Sequence, residues 1–230
     1  MQRLIPGPPA PTSIDEAYGA PLGKRADRPW VGLCMVASID GSTAVDGASA
    51  QLGNANDSTV LKQLRSIADV IIVGAGTARA EGYGPPSKPG QRIGIVTASA
   101  RVDVNTPLFD SGAGFLITTT SAPVAASIDT VRAGDDAVDL LTALLALGTV
   151  CDDPRVVQCE GGPSLNGSLF TRDLVDEINI TTSPLVVGGD GARLATRAEA
   201  LARAFELQQL LIDDESFVFS RWLRKRGDDS

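Results

Sequence analysis

Ala68-Asp69-Val70-Ile71-Ile72-Val73-Gly74-Ala75-Gly76-Thr77 is the stretch whose reading decides the architecture. Residues 70 to 73 are apolar at every position, which predicts a strand buried on both faces, as at the centre of a parallel or mixed sheet. A sharp turn follows, in which Gly74 and Gly76 permit positive φ and close approach of the backbone to a bound group. Ala75 to Glu81 (AGTARAE) are helix formers, so a helix opens at the turn with its first amides free. Such an end attracts anions, above all phosphate. On these residues alone an ordinary strand–turn–helix junction is an equally good reading.

Outward from that stretch, strands and helices alternate. Upstream, Trp30 to Ala37 (WVGLCMVA) reads as a strand running into the turn Ser38-Ile39-Asp40-Gly41, with a carboxylate at its tip. Residues 42 to 54 are small and glycine-rich, a loop. Asn56 or Asp57 is the expected cap of a helix whose apolar positions Val60, Leu61, Leu64 and Ile67 have helical spacing. Residues 1 to 29 are rich in proline and polar residues, with a helix-like patch at Ser13 to Tyr18. They read as an arm lying over the domain or over a partner subunit, with residues 30–230 forming one domain.

Downstream, Gly82-Tyr83-Gly84-Pro85-Pro86 breaks the chain into a loop. Arg92 to Thr97, Gly114 to Thr118 and Ile128 to Arg132 read as strands, and Val138 to Leu147 as a helix preceded by acids. Arg155 to Cys159 enters Glu160-Gly161-Gly162-Pro163-Ser164, where Pro163 suits the first turn of a helix. This is a second strand–glycine–helix junction. Leu174 to Gly189 supplies a strand and a turn, and Phe205 to Ile212 with Ser216 to Leu223 reads as a closing antiparallel pair. The fold class is therefore α/β with a mixed sheet.

Composition removes whole classes of chemistry. The 230 residues contain no histidine, which excludes Ser-His-Asp and Cys-His catalysis and any histidine-held metal; no metal is expected. Cys34, Cys151 and Cys159 form no CxxC pair and read as small core residues of a reducing compartment. The net charge of −8 argues against nucleic-acid binding; the basic run Arg221 to Arg226 reads as the soluble end of the last strand. Aromatic residues are 4% of the chain, so Val, Ile, Leu and Ala build the core. No apolar run approaches a membrane span, and the early prolines break any signal peptide, so a cytoplasmic protein without a membrane partner is expected.

Two glycine turns at one sheet edge suggest a long ligand with two phosphates, a dinucleotide. The Rossmann fingerprint is absent: Arg79 stands where its third glycine belongs, and no acid follows to read a ribose diol. Arg79, Arg92 and Arg101 are candidates to meet a 2′-phosphate, which favours NADP over NAD. Hydride transfer suits a chain with no histidine and no activated nucleophile, because the cofactor carries the chemistry. Asp40 is the candidate proton donor, with a turn-capping acid as its alternative reading. Asp176-Glu177 reads as structural or as part of a subunit contact.

Taken together, Ser38-Ile39-Asp40-Gly41, Leu64-Arg65, Ala68-Asp69 and Val73 to Thr77 resemble the bacterial riboflavin-biosynthesis pyrimidine reductase family, as do Glu160 to Leu165, Leu174 to Glu177, Ser183-Pro184 and Gly188. The resemblance covers roughly residues 30 to 223 and implies a dihydrofolate-reductase-like three-layer fold, its central sheet mixed and mostly parallel with a C-terminal antiparallel pair. It implies NADPH as hydride donor, a homodimer, and reduction of the opened ribose of 5-amino-6-ribosylaminouracil 5′-phosphate. It places the cofactor at Gly74, Ala75, Gly76 and Thr77 and at Glu160, Gly161, Gly162, Ser164 and Leu165. Thr97 and its neighbours come to its adenosine end, where Arg79 is the 2′-phosphate candidate named above, and Ala37 to the nicotinamide, while Ser38, Asp40 and Gly41 face the substrate. The chain departs from the family at Ser42, where Lys or Arg is usual, and at Glu81-Gly82-Tyr83, where Asp-Asp-Pro is usual. It departs again around Gln51 and Ser58. These positions lie on the substrate side, so a dihydrofolate or other pterin reductase is the alternative. A non-catalytic NADP-binding regulator is the third reading.

Overall fold

Segments rich in β-branched residues and leucine, separated by glycine turns, assemble an eleven-stranded sheet in the computed structural model, which describes residues 1–226; residues 227–230, the end of the expected reductase domain, lie outside the described residues. In chain order the elements are β1 (Gln2–Ile5), β2 (Ala10–Pro11), α1 (Ile14–Tyr18), β3 (Trp30–Ser38), α2 (Ala55–Ile67), β4 (Val70–Gly74), α3 (Ala75–Glu81), β5 (Arg92–Val96) and α4 (Pro107–Asp110). There follow β6 (Gly114–Thr118), β7 (Thr130–Arg132), α5 (Leu140–Leu145), β8 (Val156–Cys159), α6 (Pro163–Thr171), β9 (Glu177–Ser183), β10 (Phe205–Ile212) and β11 (Val218–Arg224).

The sheet order is β2-β1-β10-β11-β9-β3-β8-β4-β5-β6-β7. From β9 to β7 every neighbouring pair is parallel; from β2 to β9 every pair is antiparallel. The mixed, mostly parallel sheet and its C-terminal antiparallel pair are thus as expected. Val70, Ile71, Ile72 and Val73 are all buried because helices cover both faces of β4. On one face α5 and α6 pack Leu140, Leu144, Leu165 and Leu169 against the largest core cluster. On the other, Val60 and Leu64 of α2 join Tyr18 and Phe219, while Leu108 of α4 packs on Ile71 and Ile93.

Several boundaries differ from expectation for local reasons. Asn54, not Asn56 or Asp57, caps α2, its side-chain oxygen accepting from the Asp57 N–H. Asp139 caps α5, which ends at Leu145 and gives way to a 3₁₀ turn at Leu147–Thr149. Leu174 to Asp176 do not pair as strand, because Asp176 turns inward to the Arg28 guanidinium at 2.6 Å and to the Val31 N–H. Gly74 has φ −70 and Gly76 lies in a helix, so neither uses positive φ.

The N-terminal arm joins the sheet as well as lying over it: β1 pairs with β10 and with β2. Buried ion pairs and hydrogen bonds fasten the rest of the arm. Asp176 takes Arg28 and Arg226, while Glu177 takes Arg221, the Trp30 indole N–H and the Leu22 N–H. Arg221 in turn donates to the Ala17 and Ala20 carbonyls, and Arg224 pairs with Asp173. The basic run that ends the chain is therefore spent on carboxylates and carbonyls, tying arm to sheet.

Candidate active site

The C-terminal ends of β3, β4 and β8 lie side by side and open into a cleft of about 890 Å³. Parallel strands project their terminal loops to the same edge, so the two glycine junctions meet there. The Gly74 N–H donates to the Gly161 carbonyl at 2.7 Å, and a Cβ on Gly74 would sit 3.3 Å from the Gly162 nitrogen. A Cβ on Gly162 would overlap the Thr77 hydroxyl, and Gly161 has φ +82, which a larger residue resists. Glycines are thus required for the approach of one turn to the other.

Both helices that open at these turns, α3 from Gly74 and α6 from Gly162, lack a side-chain cap, whereas Ser13, Asn54 and Asp139 cap α1, α2 and α5. Their first-turn amides are left for something outside the helix. Gly76, Thr77 and Gly162 line the cleft, and no atom lies within 4 Å of where a Gly76 Cβ would stand. This geometry fits the phosphates of a dinucleotide.

At the head of the second turn stands a carboxylate with every lone pair engaged. Glu160 Oε1 accepts from Arg65 Nε and Gln158 Nε2, both at 2.7 Å; Oε2 accepts from the other Arg65 nitrogen and from the Tyr83 hydroxyl, both at 2.6 Å. The Arg65 guanidinium also lies over the Tyr83 ring, 5.5 Å from its centroid. Burial and then the Glu160 charge push the Tyr83 hydroxyl well above its ordinary pKa, so it keeps its proton and donates. Asp57 on α2 and Cys34 on β3 line the same wall. Burial raises the Asp57 pKa against an opposing hydrogen bond from Thr181. Burial, then the Asp57 charge, raises the Cys34 thiol, and burial pushes Cys151 to about 11 and Cys159 to about 12, so none is a ready nucleophile.

Of the other expected residues, Gly74, Ala75, Gly161, Ser164 and Leu165 flank the lining at the two turns, and Ala37 follows Val36, which lines it. Thr97 is buried just past β5, donating its N–H to the Ile117 carbonyl. Arg79 lies beside Arg101, donating to its carbonyl at 3.3 Å. Arg92 is at the opposite end of β5, bound to the Val150 and Gly114 carbonyls and to Asp129, and so is removed from the 2′-phosphate candidates. Ser38, Asp40 and Gly41 form the turn beside the cleft rather than its lining, with Gly41 at φ +85.

Asp40 has a holding role. It accepts from the Ser38 hydroxyl and from the Val187 and Gly188 N–H groups, pinning that loop to the turn. The Ser38 hydrogen bond, then the two backbone ones, lower its pKa to about 2, so at neutral pH it carries no proton to give. A depressed folded-state pKa means that the pinning is fully present above the ordinary carboxylate range and is lost as pH falls toward 2. The Asp40 side-chain carbon followed by NMR is expected to titrate with a midpoint near 2; a midpoint near 4 would show that the pin does not form.

Sequence reasoning placed Glu81-Gly82-Tyr83 on the substrate side without giving Tyr83 a role, and left Gln158 and Asp57 out of the site. Tyr83 lies in a loop that composition marks only as a break, and Gln158 stands among apolar strand residues. The alternation of β8 is the signal that puts Gln158 on the side of Glu160, two residues on.

The three-layer α/β fold, with two uncapped glycine-led helices beside a carboxylate network at one sheet edge, is that of an oxidoreductase whose reductase family points to a nicotinamide cofactor. The RibD C-terminal domain family matches residues 29–219, and the chain belongs to that family. It is 29% identical over 189 residues to the 2,5-diamino-6-ribosylamino-4(3H)-pyrimidinone 5′-phosphate reductase of Methanothermobacter thermautotrophicus, covering 76% of this chain and 86% of that one. It is 28% identical over 205 residues to the reductase of the same description from Aquifex aeolicus, covering 80% and 89%. A pyrimidine reductase-like protein from Corynebacterium diphtheriae has the same fold, with a TM-score of 0.75 at 24% identity, over 86% of this chain and 92% of that one. Among the described residues no helix is long and apolar enough to cross a membrane.

Proposed function

We propose that this protein is an NADPH-dependent reductase of a ribosylamino-pyrimidine phosphate in riboflavin biosynthesis, converting the opened ribose to a ribityl chain. The observation that carries the reading is the pair of uncapped glycine-led helices, α3 and α6, opening on the cleft that also holds the Glu160 network. When bound, NADPH supplies the hydride. The amides after Gly74 and Gly162 hold its phosphates, with Thr77 between the two turns. Arg79 and Arg101 take the 2′-phosphate near Thr97, and Ala37 lies toward the nicotinamide. Glu160 holds Arg65 and Tyr83 in place, and the Tyr83 hydroxyl retains its proton. Asp40 and Ser38 fix the turn and loop that border the substrate. The setting is cytoplasmic and the working unit a homodimer of residues 30–230, with the arm folded against the sheet.

A second reading, reduction of a dihydropterin such as dihydrofolate, is favoured by the charges of the cleft. Among the described residues that line it, Arg65 is the one cation and is taken by Glu160, while Asp46, Asp57 and Glu81 add negative charge. A phosphate monoester finds little there to neutralise it, and the glutamate carboxylates of dihydrofolate find no more, so the charges favour a dihydropterin whose anionic chain stays outside the cleft.

The test is NADPH oxidation, followed by absorbance, with the ribosylamino-pyrimidine phosphate and dihydrofolate offered separately. Turnover of the pyrimidine is expected; turnover of dihydrofolate alone moves the protein to the second reading. Silence with both while NADPH binds moves the reading to a different substrate or to the regulator.

A further inference from the structure

An amide side chain buried in a core is costly unless its polar atoms are bonded. Asn166 on α6 is as fully enclosed as its neighbour Leu169, and it lies behind the cleft rather than in its lining. Leucine would fill the space without desolvating an amide, so the work of Asn166 is in its bonds. Its Nδ2 donates to the Leu194 carbonyl at 2.7 Å, and its Oδ1 accepts from the Cys159 thiol at 3.6 Å. Leu194 belongs to residues 184–204, which join β9 to β10 with no helix or strand of their own. The same stretch rests on α6 a second time, where the Thr196 N–H donates to the Pro163 carbonyl at 3.0 Å. Gly167 leaves room for it, since a Cβ there would overlap the Thr196 carbonyl oxygen.

From these anchors the stretch reaches the cleft. Gly191 and Ala192 line it, and the Ala192 carbonyl accepts from the N–H and the hydroxyl of Thr43, at 2.7 and 3.0 Å. Thr43 and Ala44 line the cleft as well. Gly191 lies so close to the next turn that a Cβ on it would come within 2.7 Å of the Ser42 hydroxyl oxygen. On the cofactor side, the place of a Gly161 Cβ is 3.7 Å from Asn166 Nδ2. One amide thus stands between the second glycine turn and the two segments that wall the cleft beyond it.

Resting on the reductase reading above, we propose that Asn166 is a positioning residue for the substrate. It touches neither substrate nor cofactor. It holds residues 191–196, and through Ala192 it holds Thr43, where together they wall the cleft. An irregular stretch of this length has many conformations to lose, and a bond from a rigid, buried helix selects one of them. Without the amide that bond is gone, and the stretch leaves its place. The cradle does not go with it, because the Gly74 N–H at the end of β4 holds the Gly161 carbonyl at 2.7 Å. Substrate affinity depends on Asn166, and cofactor affinity does not.

The experiment combines amide hydrogen exchange with binding. Asn166→Leu removes the donor and keeps the bulk; Gly167→Ala keeps Asn166 and pushes the stretch off α6. In both, the Thr43 and Thr196 amides are expected to exchange at least about tenfold faster than in wild type. The ribosylamino-pyrimidine phosphate and dihydrofolate are then titrated separately in the presence of NADP⁺. The ligand that wild type turns over is expected to bind at least about tenfold more weakly, while NADPH affinity changes less than about threefold. A purely structural role lowers the thermal midpoint without separating the two affinities. Wild-type exchange at Thr43 in Asn166→Leu overturns the proposal, and so do unchanged substrate affinity or equal losses of substrate and NADPH affinity. Asn166→Ala takes the place of Asn166→Leu if the leucine variant does not fold, with the same outcomes. If wild type turns over neither ligand, that counts against the reductase reading alone. Thr43 exchange then decides the proposal: faster in the variants upholds it, and unchanged overturns it.

Discussion

Glu160→Gln is expected to lower kcat/KM by at least about a hundredfold while weakening NADPH less than about tenfold. The reason is a count of donors. Glu160 accepts four hydrogen bonds, two from Arg65 and one each from Gln158 and Tyr83, and donates none. Glutamine of the same shape keeps one oxygen and replaces the other with an amide, so a donor must face donors whichever way the amide is turned. It also removes the negative charge while leaving the Arg65 guanidinium in a site that burial has already desolvated. Breaking one side of such a pair costs about 3–5 kcal/mol in buried cases, and the half-exposed position of Arg65 places this one toward or below the lower end. Arg65 and the Tyr83 loop then leave their positions, and the wall facing the substrate changes shape. Gly161-Gly162 follow Glu160 directly, but the Gly74 N–H bond to the Gly161 carbonyl holds the two turns together through the backbone, so the cradles stay. Steady-state kinetics with a separate NADPH titration check this: equal losses in both would mean that the carboxylate serves the cofactor. Tyr83→Phe is the internal control. It removes one donor, leaves the ion pair intact and is expected to cost less than a tenth of the Glu160→Gln loss.

Much of the fold was legible because apolar runs and glycine turns are local signals. Val70 to Val73, apolar on every position, names a central strand without further help, and Glu160-Gly161-Gly162-Pro163 names a second junction of the same kind. What escaped was set by distance in space rather than along the chain. The Glu160 network draws Arg65 from 95 residues away and Tyr83 from 77, and no spacing rule connects them. The first eleven residues joined the sheet because β10 offered an edge, a fact invisible in a proline-rich segment. Asp40 was read as a proton donor or as an acid capping its turn: its place at a turn tip was legible, its three donors from Ser38 and the 187–188 loop were not. Asp57 was legible only as a helix cap, since Asn54 takes that role and turns it toward the cleft.

Burial also explains why Asp176 and Glu177, adjacent in sequence, serve the frame rather than the chemistry. They stand at the start of β9 with side chains fully enclosed by guanidinium groups from the arm and from β11 and its end, at the strand end opposite the cleft. The acids that remain for chemistry are those on the cleft side, and among these Glu160 and Asp57 have opposite environments. Glu160 accepts four hydrogen bonds, while burial raises the Asp57 pKa against an opposing hydrogen bond from Thr181.

Gly76→Asp is expected to weaken NADPH binding by at least about a thousandfold while leaving the thermal midpoint within a few degrees of wild type. Gly76 is in the first turn of α3, on the cleft wall, with open space where a Cβ would stand and a φ that any residue adopts. Aspartate therefore fits the protein without a clash, and near a helix N-terminus its charge is welcome to the helix itself. The open space, however, is the room that a phosphate takes. The carboxylate occupies it, engages the free amides of α3 in place of the phosphate, and repels the remaining negative charge of the dinucleotide. A carboxylate about 4 Å from a phosphate in a partly dry cleft costs about 4 kcal/mol at an effective dielectric near 20, which is close to a thousandfold in affinity. Gly76→Asn separates the two causes: it fills the same volume without charge and is expected to retain a tenfold or more stronger affinity than Gly76→Asp, with the gap narrowing as salt is raised. Titration of NADPH fluorescence at two ionic strengths reads both variants. Wild-type affinity in Gly76→Asp would remove the β4–α3 turn from the cofactor site and leave Gly161-Gly162 as the only cradle.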